Sequence, residues 1–277
     1  MAFEELGRLR AREETCQYQG SRLLFRGPKR SLCQEYIAFL GGTETYGKFV
    51  TCPFPDRLEQ LIGATCVNLG WPNAGIDVLL NDRGLMRMAG AARLTVLQVP
   101  NAANMTNRFY TVHPRRNDRF LKARAPLRAL YPEIDFTDFS FTRHMLATLK
   151  AHSLDRFAVL HQDLAQVWIA GMRRLIDKIE GPVILLWFSD RAPDRLCDAP
   201  EMDYEPALVS RGMLEALTGA AAGMARAPRG TQDKAELLTD QLFLRINASA
   251  ARDLPDQGAH DIAAKALLPL ITQHMNR

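Results

Sequence analysis

Tyr36-Ile37-Ala38-Phe39-Leu40-Gly41-Gly42-Thr43-Glu44-Thr45-Tyr46-Gly47 decides the fold class of this chain. The first five residues form a continuous apolar run, the pattern of a strand buried on both faces, which breaks into glycines, hydroxyls and a carboxylate. In an open α/β sheet, ligands collect where the carboxyl end of a strand turns into the next helix. Glycines there allow close backbone approach, and freed N–H groups can hold an anion. Thr43 therefore stands where a nucleophile or an oxyanion donor belongs, or else is the hydroxyl cap of an ordinary βα turn.

Working outward, three more apolar runs read as strands: Thr65–Leu69, Leu94–Val99 and Val183–Phe188, each followed by a loop with Gly, Asn, Pro or Asp. Helical spacing marks Pro55–Gly63, Ile76–Leu80, Gly84–Ala89, Leu154–Ile179, Ala207–Leu217 and about Ala259–Met275. In Leu154–Ile179 the stripe comprises Val159, Leu160, Leu164, Val167, Trp168, Met172, Leu175 and Ile176. Continuous apolar strands alternating with helices predict a three-layer α/β/α sandwich around a mostly parallel sheet. Residues 1–30 are polar and basic and read as an N-terminal extension. Residues 31–277 read as a single domain, with a long polar insert at about 101–153.

Composition narrows the class. The chain has 277 residues, 47% apolar and 24% charged, within the range of ordinary globular proteins. Its +4 charge gathers in Arg8–Arg30, Arg108–Arg128 and around Arg173 and Arg174, with no nucleic-acid-binding motif, so nucleic acid is not an expected partner. Five scattered cysteines without a CxxC pair argue against zinc and a disulfide framework. The N-terminus lacks a signal-peptide core and no stretch approaches membrane-helix length, so a cytoplasmic protein without a membrane span is the expectation. His113 and His144 have no metal-ligand partner at helical spacing, and no metal is expected.

The insert carries Asn107-Arg108-Phe109-Tyr110-Thr111-Val112-His113-Pro114-Arg115-Arg116-Asn117-Asp118-Arg119-Phe120. Connections this long usually have a functional reason. Arg108, Arg115, Arg116 and Arg119, mixed with Tyr110 and His113, form a candidate pocket for a phosphate, sulfate or carboxylate group. The alternative is a solvated loop whose arginines pair with Glu133, Asp135 and Asp138. Glu44 and Tyr46 complete the substrate-binding set from the first turn. Trp71-Pro72-Asn73-Ala74-Gly75 could shape an acyl or sugar pocket, and Ser189 and Asp190 end a strand on the same sheet edge as Thr43.

The order of these pieces resembles the SGNH (GDSL-like) hydrolase superfamily. Gly42-Thr43-Glu44 resembles its nucleophile block, Asn68-Leu69-Gly70 its oxyanion glycine, Pro100-Asn101-Ala102-Ala103-Asn104 its oxyanion asparagine, and Gln257-Gly258-Ala259-His260 its last block. The resemblance implies a flavodoxin-like fold and an ester hydrolase or acyltransferase acting on an anionic acylated substrate, a saccharide or a lipid. It implies Thr43 as nucleophile or anchor, His260 as base, and Gly70, Asn101 and Asn104 as oxyanion donors. The chain departs from the pattern where threonine replaces serine and Gln257 occupies the acid position. Asp256 is the substitute acid, with Asp253 and Asp261 as further options. Gly42-Thr43-Glu44-Thr45-Tyr46-Gly47 and Val112-His113-Pro114-Arg115-Arg116-Asn117-Asp118-Arg119-Phe120 are also similar to segments of an uncharacterised alphaproteobacterial family. No cofactor is expected on this reading. Its alternative is a noncatalytic or transferase-like protein holding coenzyme A or a nucleotide through the insert arginines.

Overall fold

The computed structural model describes residues 14–196, 199, 201–230 and 254–275. Its centre is a five-stranded sheet of β3 (Tyr36–Gly41), β4 (Thr65–Gly70), β5 (Leu94–Gln98), β8 (Val183–Phe188) and β9 (Gly223–Ala227). The strand order is β4-β3-β5-β8-β9 and every pairing is parallel. This is the flavodoxin-like order, in which the chain winds first to one side of the opening strand and then to the other.

Alternate residues of each strand enter two separate cores. Ala38, Leu40, Val67, Leu69, Leu97, Leu185 and Trp187 face one. There they meet α3 (Ile76–Asn81), α4 (Arg83–Ala91), α6 (Thr142–His152) and α7 (Leu154–Asp177). Ile37, Phe39, Cys66, Val96, Ile184 and Phe188 face the other, against α2 (Phe54–Ile62) and α9 (Gln257–Met275). The expected three-layer sandwich is thus the observed one.

Four expected strands are present, whereas β9 and the antiparallel ribbon of β6 (Tyr110–His113) and β7 (Arg116–Ala123) were not expected. The stripe on α7 is buried at Leu160, Leu164, Trp168, Met172, Leu175 and Ile176, while Val167 is partly buried and Val159 is 47% exposed. Of the basic extension, residues 14–30 carry β1 (Thr15–Cys16) and β2 (Phe25–Arg26), and Tyr18, Leu23 and Phe25 are buried in the larger core. Cys16, Cys33, Cys52 and Cys66 are free thiols. Among the described residues no helix is long and apolar enough to cross a membrane.

Trp168 ties α7 to the crevice end of the sheet. Its ring is fully buried and its Nε1–H donates to the Pro100 carbonyl at 3.0 Å, just beyond β5. Trp168→Ala removes that bond and leaves a cavity. It is expected to lower unfolding free energy by about 3–5 kcal/mol, read from urea denaturation.

Candidate active site at the sheet switch point

The winding reverses between β3 and β5, so the crevice opens at their carboxyl ends. Gln98, the last residue of β5, organises its floor. Its Oε1 accepts from Gly42 N (3.3 Å), Thr45 N (3.1 Å) and Thr45 Oγ1 (2.5 Å), and its Nε2 donates to Glu44 Oε2 (3.0 Å). This bonding fixes the short helix α1 (Thr43–Tyr46) against the sheet. Gly41 lacks a side chain where Gln98 and Thr45 converge: a Cβ there would lie 2.1 Å from Thr45 Oγ1 and 2.6 Å from Gln98 Oε1.

Glu44 is the charged centre. Its other oxygen pairs with Arg229 at 3.0 Å, and both side chains are about 15% exposed. Arg229 follows β9, and its neighbour Gly230 is held by Asp190 Oδ1 at 2.9 Å. Ser189 accepts from Arg191 N, so Ser189 and Asp190 serve the loops rather than the crevice opening.

A second carboxylate enters from the 201–209 loop. Glu205 Oε1 pairs with Arg143 of α6 at 2.9 Å, and Oε2 accepts from Ala207 N (3.2 Å) and Asn101 Nδ2 (3.4 Å). Burial and the charge of Glu44 push its carboxyl above the usual carboxylate range, against the pull of Arg143 and Arg229. The loop is anchored by the Arg191–Glu201 ion pair, by Arg191 over the Tyr204 ring, and by Ala102 N donating to Ala207 O at 3.0 Å. The Glu205 side chain is 23% exposed, enough for water to reach a carboxylate of raised basicity.

Thr43 sits at the lip, half-buried. Its hydroxyl donates to Asn73 Oδ1 (3.2 Å) and accepts from Asn73 N (3.0 Å). It is thus held by an asparagine, not an imidazole. Asn73 adopts a left-handed backbone (φ 58°), which asparagine tolerates better than most residues.

His260 is not the expected base. It is 1% exposed in the second core, stacked on Phe54 and edge-on to Phe188. Its Nδ1 accepts from Phe54 N at 3.1 Å, which places the ring proton on Nε2 and leaves no nitrogen lone pair for a hydroxyl. Burial first, then the charge of Arg26, lowers its pKa to about 4. Asp256 is not an orienting acid either, because its Oδ1 caps α9 by accepting from Ala259 N at 2.8 Å. Gln257 clamps the backbone of Cys52 from both sides, Asp261 pairs with Arg57, and Asp253 lies outside the described residues.

The oxyanion set is likewise not assembled. Gly70 N donates to Asn68 Oδ1 (3.0 Å) and Asn104 Oδ1 accepts from Thr142 (2.7 Å), so both are structural. Asn101 alone faces the crevice, through Glu205. Tyr46 is buried, and so is Tyr110, whose hydroxyl donates to Ala103 O at 2.7 Å.

The insert arginines do not share one pocket. Arg108 pairs with Asp163 on α7 at 2.8 Å, and Arg119 lies over the Phe141 ring. Arg115 and Arg116 occupy the exposed β6–β7 turn, where His113 Nδ1 accepts from both of their backbone N–H groups. Two of the acids offered as their partners are otherwise engaged: Glu133 pairs with Arg156 and His152, and Asp135 caps Thr137. The insert arginines are thus dispersed rather than gathered around one crevice. Among the described residues no His, Cys, Asp and Glu cluster could hold a metal ion.

The neutral state of buried His260 makes stability acid-sensitive. Its folded pKa lies below the unfolded 6.5, so its contribution is complete above pH 6.5 and is lost as pH falls through about 4. Wild type is expected to lose about 3 kcal/mol to this group by pH 4. His260→Gln retains an acceptor for Phe54 N, and its urea midpoint should fall less between neutral and acid pH.

Residues 1–275 match the family described as a domain of unknown function, DUF6473. No curated protein matches the sequence. Among solved structures, the chain is similar to the lipase Lip_vut3 from a goat rumen metagenome: 10% identity, TM-score 0.37, covering 85% of this chain and 97% of that one. A two-domain esterase active on acetylated mannans gives 10% identity and TM-score 0.39, covering 86% of this chain and 50% of that one. A Lactobacillus plantarum protein gives 13% and 0.39, covering 87% and 97%.

Proposed function

The chain belongs to the DUF6473 family, and from its switch-point crevice we propose an ester-cleaving hydrolase that uses Glu205 as general base. The observation that carries this reading is the pairing of two carboxylates in unlike surroundings. Glu44 pairs with Arg229 and accepts from Gln98, and its charge helps keep Glu205 above the ordinary carboxylate range. A carboxylate tuned upward toward working pH is a more effective base than a free one. The ester class is what the resemblance of the Gly42-Thr43-Glu44 block to SGNH hydrolases implies, and the reading makes no use of His260, Gly70 or Asn104, whose bonds are spent within the fold.

In this reading ionised Glu205 takes a proton from water, and the oxygen attacks the ester carbonyl. Arg143 and Arg229 lie beside the carboxylates, where a developing oxyanion would feel their charge. Collapse breaks the bond to the leaving alkoxide, and Glu205 returns the proton to it. An alcohol in place of water would make the same steps an acyl transfer. Thr43 and Asn73 anchor the substrate at the lip. The test is hydrolysis of p-nitrophenyl acetate by wild type and Thr43→Val. The account expects a raised KM and a retained kcat in the variant, whereas loss of all turnover would restore Thr43 as nucleophile.

A further inference from the structure

We infer that the β6–β7 turn is a specificity element that recognises an acidic group on the substrate through Arg115 and Arg116. This rests on the reading of the crevice as the catalytic site. The connection between them is short and rigid. Trp71 N donates to Gly41 O on the crevice floor at 3.1 Å, and its indole Nε1–H donates to Arg115 O at 2.7 Å. One tryptophan therefore spans from floor to turn.

A second fastening is Asn117, fully buried. Its Oδ1 accepts from Gly75 N (2.9 Å) and Val78 N (3.1 Å), and its Nδ2 donates to His113 O (2.9 Å). The loop gripped in this way also carries Asn73, the partner of Thr43. Gly75 is required for this docking, since a Cβ there would lie 2.0 Å from Asn104 O. His113 fixes the turn from inside by accepting both arginine N–H groups, so the two guanidiniums project from a tethered hairpin.

Neither guanidinium is in an ion pair among the described residues, although Arg108, Arg143, Arg156 and Arg229 all are. Inside the crevice, Glu44 with Arg229 and Glu205 with Arg143 cancel pairwise. Among the described residues, Arg115 and Arg116 add positive charge on the tethered turn that no ion pair cancels. Asp118, on the same strand, offsets one of the three positive charges of Arg115, Arg116 and Arg119 and leaves two. Planar guanidiniums suit phosphate, sulfate or carboxylate, bound bidentately. The substrate class is therefore an ester whose alcohol or acyl part bears such a group, seated with the ester over Gln98 and Glu205 and the anion over the turn.

The experiment compares kcat/KM for p-nitrophenyl acetate and for the p-nitrophenyl half-ester of succinic acid. Wild type is expected to favour the anionic ester roughly ten-fold at low salt, with the ratio falling toward one near 1 M salt. Arg115→Ala/Arg116→Ala is expected to bring the ratio near one at low salt, and the double lysine variant to retain part of it. An unchanged ratio in the double alanine variant would overturn the inference. If wild type cleaves neither ester, the hydrolase reading fails and the turn is read by thermal melting with glycerol phosphate against glycerol. Stabilisation by the phosphate only, lost in the double alanine variant, upholds the anion site. Equal effects, or none, overturn it.

Discussion

Glu205→Gln is expected to lower kcat/KM for ester hydrolysis by about 10²- to 10⁴-fold while leaving the protein folded. The amide oxygen can still accept from Asn101 and Ala207 N, which keeps the loop's backbone anchor, while its NH2 group gives up the Arg143 pair and cannot take a proton from water. Removing a carboxyl whose pKa is raised by folding also removes a destabilising contribution above that range. The variant should therefore melt no lower than wild type at neutral pH. Glu205→Asp keeps the charge but withdraws it by one methylene, and intermediate activity is the expected result. Activity lost together with the melting transition would assign Glu205 to stability instead.

Gly70→Ala is expected to cost about 3 kcal/mol or more of stability, a large part of the 5–15 kcal/mol typical of a native domain. Its Cβ would lie 2.3 Å from Tyr46 N and 2.7 Å from the Thr45 carbonyl carbon. Both are backbone atoms of α1, which cannot swing aside as a side chain can. Either β4 leaves its register with β3, where Gly41 and Gly70 are paired, or the turn bearing Thr43 and Glu44 is displaced. Gly90→Ala is the control. It sits within α4, nothing lies within 4 Å of its added Cβ, and it should stabilise by about 0.5–1 kcal/mol. Urea midpoints of the two variants should move in opposite directions, and a shared direction would contradict the packing account.

The sheet was legible because four of its strands are buried on both faces and so are written as unbroken apolar runs. β9 was not, since Gly223-Met224-Ala225-Arg226-Ala227 is short, small-residue and interrupted by an arginine. Its strand character comes from pairing with β8, a nonlocal fact. The ribbon was hidden because β7 is mostly polar and carries only Phe120 and Ala123 inward as apolar residues, while Asn117 does the docking.

At the site, the position of the Gly41–Glu44 turn followed from local pattern, but the chemistry did not. His260 matched a spacing, yet its ring is consumed by Phe54 N and an apolar shell, which depends on α2 packing against α9. Glu205 and Arg229 lie in loops without periodicity and reach Glu44 across more than 150 residues of chain. Gln98 left one trace, a polar residue closing an apolar strand. A buried amide there marks a network worth tracing.

The most direct measurement is the pH dependence of kcat/KM for p-nitrophenyl acetate in wild type and Glu44→Gln. Hydrolysis should rise along one limb whose midpoint lies above the ordinary glutamate value of 4.5, as Glu205 ionises. Removing the Glu44 charge takes away a repulsion that holds the Glu205 proton and leaves Arg229 to favour the anion. The limb should therefore move to lower pH. A limb that stays in place in Glu44→Gln, or moves upward, would contradict a base tuned by this carboxylate pair.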